Sequence, residues 1–266
     1  MLSRLCWQED EPMEDDIKII QRKDMNMKGA VLIEGFPSIG MVSSIVANYL
    51  IKTLGMEYIG SVKSRYFQPI AVISAGVPMP PVRIYAGQPI EKKDCICERL
   101  VVVTSEFPPP TELMQPMAEK LLEWSKEKGI KTIISIEGIM NESKDQEQHS
   151  TYAIASSPGA RKLLENRNVK PLQNGIITGI SGVLLHEAEA AGQDVICLLS
   201  DANPGIPDAR AAARLIELLD SFLPKIKLDP QPLIKEAERL EELLKQSLAH
   251  AGAMNVPVGK DQVMYG

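Results

Sequence analysis

A short apolar run that passes through a tight turn into an amphipathic helix is the feature that most constrains this chain, because the pairing recurs along it. "AVLIEGF" (residues 30–36) has strand length, and "SIGMVSSIVANYLIKTLG" follows with Ile39, Val42, Ile45, Val46, Tyr49 and Leu50 at helical spacing before Gly55. A strand, a turn and a helix burying one face are predicted. In "TELMQPMAEKLLEWSKEKG", Thr111 is a candidate cap, Leu113, Met117, Leu121 and Trp124 share a face, and Gly129 is the stop. Pro116 places the regular start of that helix close to itself, since an interior proline removes a hydrogen bond. "IKTIISIEGI" then reads as a buried strand. Further on, "GIITGISGVLLHEAEAAG", "DVICLLS" and "PDARAAARLIELLDSFL" supply strand, helix, strand and helix, with Asp208 at a helix start where its charge suits the dipole. Between the first two units, "EYIGSVKS", "PIAVISAG", "VRIYAG" and "CICERLVVVTSE" are strands punctuated by Gly and Pro. This alternation specifies an α/β fold, a mixed and largely parallel sheet flanked by helices in one domain.

The domain is expected over residues 27–228. Before it, residues 1–26 contain "QEDEPMEDD", an acidic extension expected to be disordered, with Met13 as an alternative start. After it, 229–251 form an amphipathic helix whose stripe is Leu233, Ala237, Leu240, Leu244 and Leu248, opposite Glu236, Glu238, Glu241 and Glu242. That stripe suits docking on its own domain or on a neighbouring subunit. In residues 252–266, Gly and Pro interrupt any period, so a flexible tail is expected, ending in exposed Met264, Tyr265 and Gly266.

Composition excludes several classes of function. With 44% hydrophobic residues the chain can bury a substantial core, and a net charge of -6 disfavours a general grip on nucleic acid. No apolar run approaches the ~20 residues of a membrane span, and the start lacks a signal peptide, so a cytoplasmic protein is expected. Cys6, Cys95, Cys97 and Cys197 show no metal-ligand spacing, and Cys95 and Cys97 read as thiols on one face of a strand. No metal and no cofactor are expected.

Few residues invite catalysis. "EGFPSIGMV" places Gly35 and Gly40 around a helix entrance, yet it has neither the P-loop lysine nor the dinucleotide fingerprint, and a structural turn is expected. "GISGVLL" fails as a nucleophile elbow because Val183 stands where the second Gly belongs. His149, His186 and His250 follow no catalytic order; His186 with Glu187 is the pair most suited to acid or base work. The strongest enzymatic arrangement follows two predicted strands: Glu106 in "SEFPPP", and Glu137, Asn141, Glu142 and Asp145 in "IEGIMNESKDQEQH". Ligands of open α/β sheets bind at such strand ends, and a mobile acidic loop is the alternative.

Taken in order, "EGFPSIGMVSSIVANYLI", "SEFPPP", "IEGI", "NGIITGISGVLLHEA" and "PDARAAARLIELL" resemble the landmarks of the proteasome assembly chaperone 2 family, from about Gly29 through the last helix. The resemblance implies a purine-nucleoside-phosphorylase-like α/β domain without known catalysis that forms homo-oligomers or heterodimers, and here a homo-oligomer through that domain and the C-terminal helix is expected. It also implies a chaperone or adaptor of the archaeal type acting on the core proteasome. In archaeal members a C-terminal tripeptide of a hydrophobic residue, Tyr and any residue docks between alpha-ring subunits, and Met264, Tyr265 and Gly266 match it residue by residue. Ser38 and Ser43 stand where the family favours Gly, which bears on close backbone approach at that turn. The alternative function is a nucleoside-phosphorylase-type enzyme with its site near Glu106 and Glu137.

Overall fold

The computed structural model describes residues 16–90, 98–140, 150–165, 167–223, 226–235, 237 and 239. Eleven strands and five helices follow one another as β1 (Lys18–Gln21), β2 (Val31–Gly35), α1 (Val42–Thr53), β3 (Glu57–Lys63), β4 (Val72–Ser74), β5 (Val77–Met79), β6 (Val82–Ala86), β7 (Leu100–Ser105), α2 (Thr111–Glu127), β8 (Thr132–Met140), β9 (Thr151–Ala155), α3 (Pro158–Leu164), β10 (Lys170–Pro171), α4 (Gly179–Ala191), β11 (Asp194–Ala202) and α5 (Ala209–Phe222). Nine strands form one sheet in the order β1-β3-β6-β7-β2-β8-β11-β9-β10, and β4 with β5 form a separate two-stranded sheet.

The middle of the large sheet is parallel, β7 to β2, β2 to β8 and β8 to β11, while β1, β3 and β6 run antiparallel on one side and β9 meets β11 antiparallel on the other. This is the mixed, largely parallel α/β architecture that the alternation of runs predicts. Strand alternation sends Val31, Ile33, Ile134, Ile136, Ile196 and Leu198 into a core with residues of α1 and α5. Leu32, Val101, Val103, Ile133 and Val195 enter a second core with residues of α2 and α4. Both faces are covered, as parallel strands require.

Local expectations meet several corrections. The acidic extension expected through residue 26 gives way by residue 18 to β1, an edge strand paired with β3, with Ile17 and Met27 buried beneath it. Helix α2 starts at Thr111 with Pro110 as its N-cap, so Pro116 lies within the helix and Thr111 is not the cap. "GIIT" before α4 is not a strand: residues 175–178 have no strand partner among the described residues, and Ile176 is 90% exposed. Four elements carried no expectation: β5, β9, β10 and the short α3, which is capped by Ser157 accepting from the Ala160 N–H at 2.9 Å. Of the expected C-terminal helix, residues 231–235 are helical, Leu233 packs against the α1/α5 core, and Ala237 is buried. Tyr49 of α1 fixes the approach to it, donating its hydroxyl to the Asp229 carbonyl at 2.6 Å and accepting the Asp229 N–H at 3.0 Å.

Candidate functional site

The carboxyl ends of the central parallel strands meet two arrangements, one on each side of the sheet. The first is the turn "GFPSIGM" between β2 and α1. Gly35 permits α1 to lie close on β2, because a Cβ there would stand 2.6 Å from the Ala47 Cβ. Gly138 of β8 does the same for the turn, since its Cβ would fall 2.0 Å from the Ile39 carbonyl oxygen. Close approach therefore survives despite the serines, and the serines have a use. Ser38 Oγ accepts the N–H of Gly138 at 3.1 Å and of Ser43 at 3.4 Å. Ser43 Oγ lies 2.5 Å from both Ser38 Oγ and the Phe36 carbonyl. A hydroxyl from the chain itself thus sits at the mouth of α1, where an anion would otherwise be welcome. The expectation of a structural turn agrees with this geometry.

The second arrangement lies on the α2/α4 face, and sequence reasoning missed its centre. Glu34, Ser135 and Cys197 are register partners across β2, β8 and β11, so their side chains form one row. Ser181, in the first turn of α4, comes down onto that row. Its hydroxyl contacts Glu34 Oε2 at 3.1 Å and Glu137 Oε1 at 2.5 Å, while Ser135 bonds Glu34 Oε2 and meets Ser181 Oγ. The other oxygen of Glu34 accepts the Phe36 N–H at 2.9 Å. Glu34 is 1% exposed, and Glu137, at the rim of the cluster, is largely buried.

Burial raises the pKa of Glu34 above the carboxylate range, against the lowering effect of its bonds to Ser135, Phe36 and Ser181. Glu137 is pushed up to about 8, first by burial and then by the neighbouring Glu34 charge, with Ser181 opposing. The Cys197 thiol is pushed well up by burial and by both carboxyls, which makes it a poor nucleophile. With Glu137 raised to about 8 beside Glu34, the pair of carboxyls retains a proton at neutral pH, as closely placed acids do.

Of the predicted enzymatic residues that are described, Glu106 is held by Arg83, a buried arginine that also donates to Tyr85 Oη and the Pro80 carbonyl, whereas Glu137 bonds Ser181. Asn141, Glu142 and Asp145 lie outside the described residues, as do Cys6, Cys95, Cys97, His149, His250, Met13 and the tripeptide Met264, Tyr265 and Gly266. His186 is exposed and contacts Glu187 at 3.2 Å. An open groove of about 470 Å³ lies elsewhere, along β9 and β10, lined by Thr151, Arg167 and Lys170 among others. Among the described residues, no group of three or more His, Cys, Asp or Glu side chains could hold a metal ion, and no helix is long and apolar enough to cross a membrane. The signal that could have revealed the carboxyl row is present in the sequence: a single Glu inside "AVLIEGF", and Ser and Glu two apart in "TIISIEGI".

Comparison with known proteins covers nearly the whole chain. A model of the PAC2 family matches residues 32–248. An uncharacterized protein of Methanocaldococcus jannaschii is 29% identical over 253 residues, 95% of this chain and 100% of that one. The crystal structure of Pyrococcus furiosus PbaA, an archaeal homolog of proteasome-assembly chaperone, is similar with a TM-score of 0.79 and 31% identity, over 90% of this chain and 94% of PbaA. Pyrococcus furiosus PbaB, an archaeal proteasome activator, shares the fold with a TM-score of 0.75 at 23% identity, over 87% of this chain and 98% of PbaB.

Proposed function

Since the chain belongs to the PAC2 family, we propose that it is a proteasome chaperone or adaptor that acts by binding and not by catalysis. The observation that carries this reading is the likeness to PbaA, which runs through nearly the full length of both chains at 31% identity. A cytoplasmic homo-oligomer, joined through the α/β domain and C-terminal helix, binds the alpha subunits of the core proteasome. The character of the carboxyl row supports a binding protein: Glu34 is closed from solvent, and its oxygens are engaged by neighbours in the same chain.

Met264, Tyr265 and Gly266 are proposed as the contact with the alpha ring. Tyr265 can bury a large ring while its hydroxyl keeps a hydrogen bond, Met264 adapts to an irregular groove, and the carboxylate of Gly266 pairs with a basic group. One tripeptide binds weakly because ordering it costs free energy, so several tails on one oligomer supply avidity. The test is retention of purified core proteasome on the immobilised full-length protein. Deleting residues 264–266 should abolish retention with the fold intact, and Tyr265→Ala should come close, because an aromatic anchor commonly contributes about 2 kcal/mol or more per site. Equal retention by intact and truncated chains would remove the tail from the mechanism.

A further inference from the structure

Between β3 and β6 the chain leaves the main sheet to form the β4–β5 hairpin, and from Tyr66 to Val82 it contains no Asp, Glu, Lys, Arg or His. A second charge-free run of comparable length, residues 35–51, is explained by burial, since it builds the turn and helix α1 in the core. The hairpin run lies on the surface. Ile73 is 67% exposed and Val77 55%, with Tyr66 and Ile70 exposed beside them. It is anchored at its base by Phe67, whose ring meets Phe107 edge-on at 5.5 Å. An isolated two-stranded hairpin is marginal in water, and an exposed apolar strand edge invites a further strand.

Backbone geometry shows which edge is open. Ala75 and Gly76 both have positive φ, 48° and 79°, the two-residue turn whose flanking pair, Ser74 and Val77, closes with mutual hydrogen bonds. The next pair, Ile73 and Pro78, therefore directs its backbone polar groups outward. Pro78 has no N–H, and Pro80 and Pro81 follow, so the outer edge of β5 is blunted. On β4, Ile73 offers both N–H and C=O.

We propose that this edge pairs with the same edge of a second copy of the chain, β4 against β4 in antiparallel fashion about Ile73, making a four-stranded sheet across the interface. The occupant follows from charge. A two-fold pairing sets each residue opposite its own kind or a near neighbour, which repels wherever the strand is charged and is tolerated where it is not. Residues 70–75, Ile-Ala-Val-Ile-Ser-Ala, meet that condition throughout. The interface goes beyond the proteasome reading and does not involve the tail.

Charge exchange at Ile73 tests it, using the full chain and light scattering across a concentration series. Ile73→Lys and Ile73→Glu each place like charges face to face, and each should raise the concentration of half-dissociation at this contact by about a hundredfold or more. Because the side chain points to solvent, both variants should keep the parent circular dichroism spectrum and thermal midpoint. Mixing the two should restore association, since Lys then faces Glu. A parent protein that is monomeric at micromolar concentration, or single variants that keep the parent mass, would overturn the proposal. So would dissociated variants whose mixture stays apart, because the hairpin would then contact some other surface.

Discussion

On the face covered by α1 and α5, the central strands present Val31, Ile33, Ile134, Ile136, Ile196 and Leu198, hydrocarbon throughout. On the face covered by α2 and α4, the same three strands begin with Leu32, Ile133 and Val195 and then turn to Glu34, Ser135 and Cys197 toward their carboxyl ends. Both rows are buried, yet only the second carries groups that water would bind strongly. Burial alone therefore does not set the residue type. A polar row persists when partners exist for it, and here Ser181 and the Phe36 N–H supply them. The apolar face needs only shape, and the polar face needs shape, hydrogen-bond partners and a retained proton.

The widest separation between the faces should appear on moving a carboxyl across the sheet. Ile134→Glu places an acid among the apolar side chains that α1 and α5 pack on the sheet, and urea denaturation should show a loss of more than about 4 kcal/mol or no folded protein at all. A variant with parent-like stability would erase the distinction. Next in size is the retained proton. Glu137 is raised from 4.5 to about 8 in the folded state, so the folded chain holds a proton that the unfolded chain releases. Stability is then greatest at and below pH ~4.5 and falls as pH rises toward about 8, by at most about 1.4 kcal/mol per pH unit for this group. Glu34 acts in the same direction. Glu137→Gln, neutral at every pH, should flatten the thermal midpoint across this window and leave only the contribution of Glu34. Parallel curves for parent and variant would show that Glu137 titrates normally. Smallest is Ser181→Ala, which removes the hydroxyl joining the carboxyls and should cost about 1–3 kcal/mol in chemical denaturation at pH 7. No loss there would mean that the row is satisfied without α4.

What the sequence discloses follows the same division. The strand and helix of "AVLIEGF" and "SIGMVSSIVANYLIKTLG" are legible because their signal is local: apolar spacing, then Gly55 with a positive φ at the stop. The placement of "IKTIISIEGI" and "DVICLLS" as buried strands is legible for the same reason. Strand β1 is hidden because "KIIQ" beside an acidic run gains its order from β3, not from its own pattern. "GIIT" misleads in the opposite way, since strand-forming residues that find no pairing neighbour among the described residues remain loop. The carboxyl row is the deepest case. Glu34 lies 101 residues from Ser135 and 147 from Ser181, and only the register of three strands makes them neighbours. Glu106 and Glu137, chosen because each follows or ends a strand, take separate partners because β2 stands between their strands.

The hydroxyl of Ser38 is also a joint. One oxygen accepts the N–H of Gly138 in β8 and of Ser43 in α1, so a single atom outside both elements ties the strand to the helix. Their relative placement at this corner therefore hangs on the conformation of one short side chain in the loop between β2 and α1.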